Sequence, residues 1–280
     1  GSSTGLEGRL KQISAGYFGE QQFGFHDIFF LTFGLRADGH SAFGESLGYQ
    51  LYPKVDASWV LSDYDFLPEA IGTFRLRAAY GTAGQQPGAY ASERTWDAIR
   101  AFDGEPAFAP GNVGNADLAP EVSHELEGGF DLGLFEDRLG IEYTYYTQRT
   151  KDALFRVRYP PSQGFLNTQL ANVAEIRNRG HELALRGRLI DRAEFQWNAR
   201  FNLSTNDNLV VSLGGQPPID VAWSQWIREG YPAGAFFEDR YVLRDGQVVL
   251  VEDDYIGQPF PKYTFSIGSD FAIGRNITVS

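Results

Sequence analysis

The chain has 280 residues, a formal charge of −12, no Cys, 42% hydrophobic residues and 15% aromatic residues. It is too apolar for a disordered protein, and the excess of 36 Asp and Glu over 24 Lys and Arg disfavours binding to a nucleic-acid backbone. The lack of Cys in the sequence excludes disulfides, zinc–thiolate sites and iron–sulfur clusters.

The sequence has no Met and no signal peptide in its first ten residues, so we expect a piece of a longer protein. No run approaches about 18 consecutive apolar residues, which excludes transmembrane helices. A transmembrane barrel strand needs only about 9–11 residues with one apolar face. Its signature is therefore alternation between apolar and polar residues.

Alternation of this kind recurs along the whole chain and predicts about ten strands. A weaker strand comes first, eight clear windows follow, and the opening of another strand comes last. In chain order they are Leu10–Glu20, Ile28–Arg36, Val55–Leu61, Phe74–Tyr80, Glu125–Leu132, Leu139–Tyr145, Glu182–Leu189, Phe195–Leu203, Tyr263–Ile273 and Ile277–Ser280.

Charged residues in the eight clear windows fall on only one of the two alternating sets. A charge that faces lipid at the midplane costs about 2–4 kcal/mol, whereas a watery lumen tolerates it. A soluble sheet with one buried face also alternates, so alternation alone leaves a soluble sandwich open. The charged residues are Arg36, Asp56, Arg75, Arg77, Glu125, Glu127, Asp131, Glu142, Glu182, Arg186, Arg188, Arg200 and Asp270.

The lengths of the connections favour the membrane barrel. Short turns are predicted near Glu20–His26, Glu136–Asp137, Asp191–Arg192 and Gly274–Asn276, with a somewhat longer link over Ser62–Gly72. Long loops are predicted over 38–53, 81–120, 151–177 and 205–262. Since short and long connections alternate, all long loops lie at one end of the sheet, as in outer-membrane barrels with short periplasmic turns and long extracellular loops.

Aromatic residues in two of the long loops are the candidates for binding substrate or a partner. Exposed rings stack on sugars or cover apolar peptide side chains. The alternative is that these loops pack against themselves or against a lid protein. The candidates are Trp96, Tyr90, Trp223, Trp226, Tyr231 and Phe236, with Phe102 and Phe237 nearby in sequence.

An acidic stretch near the end of the last long loop offers weak metal ligands. Asp245, Glu252, Asp253 and Asp254 could contribute oxygens to a Ca²⁺ ion, although their spacing misses the 12-residue EF-hand loop. A solvated turn is the alternative. No other cofactor is indicated and no catalytic arrangement of side chains can be singled out, so the sequence does not predict an enzyme.

Specific strings resemble the SusC/RagA-like family of TonB-dependent outer-membrane transporters. They occur in the family's order and run nearly end to end. They are RADGHSAFG at 36–44, FRLRAAYGTAGQQPG at 74–88, NADLAPEVSHELEGGFDLGLFEDRLGIEYTYYTQRTKDALF at 115–155, NVAEIRNRGHELAL at 172–185, EGYPAGAFF at 229–237 and DGQVVLVEDDYIGQPFPKY at 245–263.

The resemblance implies an all-β chain that forms part of an antiparallel transmembrane barrel of about 22 strands. Residues 1–280 would be a partial barrel domain, without the plug, the N-terminal strands or the last C-terminal strands. The implied partners are a SusD-like lipoprotein lid, TonB through the missing N-terminal part, and the lipid of a Gram-negative outer membrane.

The function implied by the resemblance is import of oligosaccharides or peptides. A passive porin or an adhesin barrel without a plug is the first alternative, and a soluble carbohydrate-binding β-protein is the second. A plug domain and TonB box upstream would distinguish the importer from the first alternative.

Overall fold

The structure is a computed structural model that describes residues 11–43, 48–102, 104–165, 167–274 and 277–279. Apart from one short 3-10 helix, Pro161–Gln163, the regular elements within these ranges are antiparallel strands. None of the described residues forms a helix with the length and hydropathy needed to cross a membrane.

Seventeen strands are described. They are β1 Ser14–Phe25, β2 Phe29–His40, β3 Gln50–Val60, β4 Ile71–Gln85, β5 Trp96–Arg100, β6 Pro106–Pro110, β7 Glu121–Leu134, β8 Leu139–Val157, β9 Gln169–Arg192, β10 Phe195–Thr205, β11 Asp207–Ser212, β12 Ile219–Ala222, β13 Gln225–Ile227, β14 Ala235–Arg244, β15 Gln247–Gly257, β16 Tyr263–Ile273 and β17 Ile277–Val279.

Most of these strands belong to one curved wall. Its order is β1-β2-β3-β4-β7-β8-β9-β10-β16-β17, and β11 adds to β9 beside this path. The remaining strands form a four-stranded sheet, β12-β13-β14-β15, and the hairpin β5-β6. The main path has the predicted number of strands, and the prediction of an all-β antiparallel fold is confirmed.

The two faces of the wall separate apolar from charged side chains. Directly opposed residues of antiparallel strands share a face, so the register traces each row across the sheet. One row consists of Trp59, Leu76, Phe130, Tyr143, Leu183, Leu203 and Phe265. The adjacent row consists of Ser58, Arg77, Gly129, Thr144, Glu182, Ser204 and Thr264.

We call these the apolar face and the charged face. On the apolar face, Phe265 and Ile267 are 67% and 74% exposed although both are large and hydrophobic. A soluble sheet would bury such a face against a second layer, whereas a membrane strand presents it to lipid. The predicted segregation of charge is therefore confirmed and favours the membrane barrel.

On one side of the wall the connections after β1, β7 and β9 have two to four residues, while 61–70 between β3 and β4 is the predicted longer link and is as long as 41–49 on the opposite side. The turn between β1 and β2 places His26 and Asp27 at positive φ, and the turn between β7 and β8 does the same for Phe135, Glu136 and Asp137. The longest connections, β4 to β7 and β10 to β16, leave from the opposite end. The predicted alternation of short and long connections is confirmed.

The predicted boundaries of the long connections were wrong, because most strands continue beyond the alternating windows. Backbone hydrogen bonding needs no apolar face once a strand has left the lipid, so alternation stops before the strand does. The predicted loops 38–53 and 151–177 shrink to 41–49 and 158–168, loop 81–120 contains β5 and β6, and loop 205–262 contains β11 to β15.

The outermost predicted strands also shifted. The first strand was expected at 10–20, but β1 runs to Phe25, so the predicted turn near 20–26 is partly strand. Residues 10 and 280, at the ends of the first and last predicted strands, lie outside the described residues, as do 44–47 within the first long connection.

Candidate functional site

Charged side chains bond to one another across the charged face. Asp131 on β7 accepts hydrogen bonds from Nε of Arg75 at 2.7 Å and from Nε of Arg77 at 3.0 Å. Arg200 on β10 reaches Asp270 on β16 at 2.8 Å. Exposed pairs of this kind add little stability, so their value lies in keeping a polar surface that is compatible with water.

A shallow cleft of about 550 Å³ opens on this face. Its lining includes Arg77 of β4, Thr144 of β8, Glu182 of β9, and Asn202 and Ser204 of β10. Gly129 of β7 stands between Arg77 and Thr144 in the same row, so the register lines these side chains up across the sheet. They can donate and accept hydrogen bonds along a polar passage.

The long connections fold into an ordered outer cap, which we define as the described residues within 86–120, 158–168 and 206–262. The cap is joined to the wall by a small hydrophobic core of Ala153, Ala174, Val210, Leu213 and Ile227. Three of these residues come from the cap and two from the tips of β8 and β9. The cap is therefore positioned by packing, not only by its covalent ends.

Strand β9 holds the cap in place because a wall strand and a cap strand pair with different parts of β9. β10 pairs with Glu182–Arg192, and β11 pairs with Glu175–Arg179. At the corner between them, a Cβ on Gly180 would overlap the carbonyl oxygen of Thr205. Only glycine lets the chain turn so closely against β9.

Buried amides fix the first part of the cap. The side chain of Asn172 on β9 accepts from the amide N of Ala119 at 2.9 Å and donates to the carbonyl of Asp152 at 2.8 Å. The amide of Gln169 accepts from the N of Val113 at 2.8 Å and is 3% exposed. The bonds to Val113 and Ala119 satisfy backbone N–H groups of an irregular, half-buried segment.

Tyr90 lines a cleft of about 700 Å³ between the β5–β6 hairpin and the β8–β9 tips. Its ring is 46% exposed, and its φ of 57° places it at a sharp turn. Asp97, Arg156 and Thr168 line the same cleft. We call this the outer cleft. It combines an aromatic ring, an acid and a base.

Trp96 lies on the same hairpin but forms a different contact. Its ring centroid is 6.1 Å from that of Phe165, and the guanidinium of Arg94 lies 5.2 Å from the Phe165 centroid. Trp96 is still 54% exposed, so one side of the ring remains open. The same guanidinium lies 5.9 Å from the Trp96 centroid, and a cation–π contact at an exposed ring contributes about 0.5–1 kcal/mol.

Arg228 organises the aromatic residues of the four-stranded sheet. Its guanidinium lies 3.8 Å from the Phe237 centroid and 4.8 Å from the Trp226 centroid, and it donates to both Asp253 oxygens at 2.6 and 2.8 Å. These hydrogen bonds lower the pKa of the Asp253 carboxyl below its usual value. Tyr231 stacks edge-on against Phe237 at 4.9 Å.

The predicted aromatic candidates therefore divide into separate groups. Trp226 and Tyr231 meet around Arg228, whereas Tyr90 and Trp96 lie at the first hairpin. Trp223 is 99% exposed at a positive φ of 51°, and Phe102 is 97% exposed. Phe236 is half-buried and pairs with Gln225 and Gly257 in the sheet, while neighbouring Phe237 is buried.

Two of the four carboxylates in the acidic stretch contact arginines. Asp253 bonds to Arg228 and Asp254 bonds to Arg240, while Asp245 lies in the β14–β15 turn with φ of 51°. Within the part of the chain that the structure describes, no group of three or more His, Asp or Glu could hold a metal ion. The Ca²⁺ interpretation of Asp245, Glu252, Asp253 and Asp254 stays a prediction.

Sequence reasoning missed three residues that shape these groups: Arg228, Phe165 and Tyr255. Tyr255 packs against Tyr231 at 5.4 Å, and Phe165 packs against Trp96. Phe165 and Tyr255 are aromatic and lie in predicted long loops, so the set of candidate binding residues could have included them. Arg228 carries no local signal, because its carboxylate partner is 25 positions away.

Three comparisons with known proteins bear on this architecture. The family model described as TonB dependent receptor-like, beta-barrel, matches residues 2–277. TonB-dependent receptor P26 of Formosa agariphila is 31% identical over 224 residues, which cover 77% of this chain and 22% of the relative. TonB-dependent receptor SusC of Bacteroides thetaiotaomicron is 24% identical over 215 residues, or 71% of this chain and 21% of the relative.

Among solved structures, the RagAB peptide transporter superposes with a TM-score of 0.82 at 20% identity, covering 94% of this chain and 32% of that chain. At this identity the match shows the fold alone. The chain spans between 21% and 26% of the length of the curated relatives it matches. The resemblance to SusC/RagA-like transporters is confirmed, and the chain belongs to the TonB-dependent receptor β-barrel family.

Proposed function

We propose that this chain forms part of the wall and outer mouth of an outer-membrane importer for oligosaccharides or peptides. The apolar face would contact lipid, the charged face would line the passage, and the outer cap would meet the substrate. The chain carries out no chemical step on the substrate in this proposal. It provides a polar route with a binding surface at its entrance.

The observation that carries the proposal is the ordered cap above a wall with one charged face. A passive channel needs a polar lumen, but it does not need a cap with its own core and exposed rings. Open aromatic faces at Trp96, Tyr90 and Trp223 give such a cap the means to hold sugars or apolar side chains by stacking.

Partners follow from the family and from the same surface. We propose that a SusD-like lipoprotein closes over the cap and that TonB powers uptake through parts of the parent protein outside these 280 residues. The TonB-dependent receptor SusC and the RagAB peptide transporter supply the analogy. Trp223, which is 99% exposed, is a suitable contact for such a lid.

The test is uptake by cells that produce the full-length parent protein. Cells should accumulate a fluorescent oligosaccharide or peptide only when both the receptor and TonB are present. A receptor in which the cap segment 214–226 is replaced by a short Gly-Ser linker should assemble but import poorly. Uptake that persists in cells without TonB would support the passive-porin alternative and reject the proposal.

A further inference from the structure

Two clefts of the outer cap adjoin each other. The outer cleft is lined by Tyr90, Asp97, Arg156 and Thr168, and a smaller cleft of about 210 Å³ is lined by Arg156, Thr168 and Asp220. Because they share two lining residues, they continue into each other. We call the combined feature the outer groove. It runs from the β5–β6 hairpin across the β8–β9 tips to β12.

Arg156 lines both clefts, and Arg158 lines the smaller one. Arg156 lies near the end of β8 and Arg158 follows its last residue, Val157, so continuing the alternation of the strand by one residue places both side chains on one side at a spacing of about 6–7 Å. Val157 between them is 4% exposed and fixes the segment from below. Both arginines are exposed to the groove.

Neither arginine has a carboxylate within ion-pair distance among the residues that the structure describes. Their neighbours on the same two strands behave differently, since Arg149 pairs with Glu175 and Arg179 pairs with Asp207. In a chain of net charge −12, two adjacent cations without partners can receive an anionic ligand.

Strand β12 borders the same groove. β12 pairs with β13 on one side, and within the described residues no strand pairs with its other edge. Ile219 and Asp220 of β12 line the smaller cleft. An open edge offers backbone N–H and C=O groups to an extended chain, which is how peptides add to sheets.

We infer that the outer groove binds an extended acidic peptide, which adds to the edge of β12 and places its carboxylates on Arg156 and Arg158. This inference rests on the proposed import function and narrows its substrate class. The arginine spacing of about 6–7 Å equals the spacing of alternate side chains on an extended peptide. Successive acidic residues on one face of such a peptide would therefore meet both cations.

An acidic oligosaccharide fits these observations less well. It could satisfy the arginines, but it has no repeating amide to pair with the edge of β12. Sugar binding also relies on aromatic faces, and of the groove residues named here only Tyr90 supplies one. The edge strand together with the arginine pair favours the peptide.

The test is calorimetric titration of the full-length receptor in detergent with capped peptides. Acetyl-(Glu-Ser)5-amide should bind about tenfold more tightly than its neutral isostere acetyl-(Gln-Ser)5-amide, because charge-assisted contacts are lost in the latter. The double variant Arg156→Gln, Arg158→Gln should abolish this preference. Arg192→Gln, at the short-turn end of β9, should leave the preference intact.

A second pair of ligands tests the strand addition. In acetyl-(Glu-Ser)5-amide, N-methylation of all Glu amides or of all Ser amides removes one alternating set of backbone donors. Only one set faces the edge of β12, so one methylated peptide should bind normally and the other should bind poorly. Equal binding by the two would overturn the strand addition.

Several results would overturn the inference. Equal affinity of the wild-type receptor for the Glu and Gln peptides would do so without any variant. Tighter binding of hexagalacturonate, lost in the double arginine variant, would assign the groove to acidic oligosaccharides instead. If the wild-type receptor imports substrate in a TonB-dependent way but prefers neither the Glu peptide nor one of the methylated peptides, the groove is rejected and the import function stands. If the wild-type receptor imports nothing, both are rejected.

Discussion

Replacing Leu185 with arginine places a charge in the middle of the apolar face. Leu185 on β9 is flanked by Ile141 on β8 and Phe201 on β10 in the same row. It lies between His181, toward the capped end, and the level of Trp197, toward the short turns. Aromatic residues at these two levels are typical of the girdles that border the lipid core, so Leu185 lies near the middle of the lipid-facing band.

The cost of this change follows from its depth. An arginine at the midplane of a barrel's lipid face costs about 2–4 kcal/mol, and each 1.4 kcal/mol is about a tenfold change in equilibrium. The folded fraction relative to the unfolded fraction should therefore fall by about 30- to 700-fold. Such a loss is a large part of the about 5–15 kcal/mol that stabilises a typical protein.

Ala184→Arg is the matched control, since the same side chain is introduced one residue away on the opposite face. Ala184 lines the cleft on the charged face and is paired with Glu142 and Asn202. The new guanidinium would enter a polar space beside a carboxylate, so stability should change little. Glu142→Arg would be a poorer control because Glu142 pairs with Arg186 at 2.9 Å.

Both variants would be made in the full-length receptor and followed by urea unfolding in lipid vesicles and by the heat-dependent gel shift of folded barrels. Leu185→Arg should lower the free energy of unfolding or prevent assembly, and Ala184→Arg should behave like the wild type. Equal stability of the two variants would refute the assignment of the faces.

Further changes test the cap. Gly180→Ala should loosen the cap, because the added methyl overlaps a carbonyl of β10; faster proteolysis of residues 206–262 would show it. Arg228 lowers the pKa of Asp253, so the ion pair should stabilise the cap fully above about pH 3.9. This stabilisation should be lost only as the pH falls through the lower pKa of the folded state. Trp fluorescence should report that acid transition in the wild type and show none in Asp253→Asn. Trp223→Ala should weaken binding of lid or substrate without destabilising the cap, whereas Trp226→Ala should destabilise the cap by about 0.5–2 kcal/mol; equal thermal melts would contradict this division.

The wall of the barrel could be predicted because lipid imposes a simple rule on its strands. Every second residue of a membrane strand must be free of charge, so the sequence itself separates Leu76 and Phe130 from Arg77 and Asp131. The turn between β7 and β8 followed from the same windows. The number of strands on the main path and the side of each charged residue therefore needed no structure.

The cap could not be predicted in this way, because no solvent forces alternation above the membrane. β9 continues as a strand through Gln169–Ile176, where burial depends on neighbours that are distant in sequence. The contacts of Arg228 and the shared lining of the outer groove arise only when β8, β9 and the four-stranded sheet come together. Sequence reasoning found several aromatic members of these sites but not the arginines that organise them.

The length of β9 has a mechanical consequence. Its 24 residues extend over about 80 Å, well beyond the apolar band of about 25 Å, and carry hydrogen bonds to wall and cap alike. A tension applied along this strand loads many of those bonds in parallel, so they resist in shear and do not peel one after another. Under a pulling force, the cap and the adjoining wall should therefore yield as one unit.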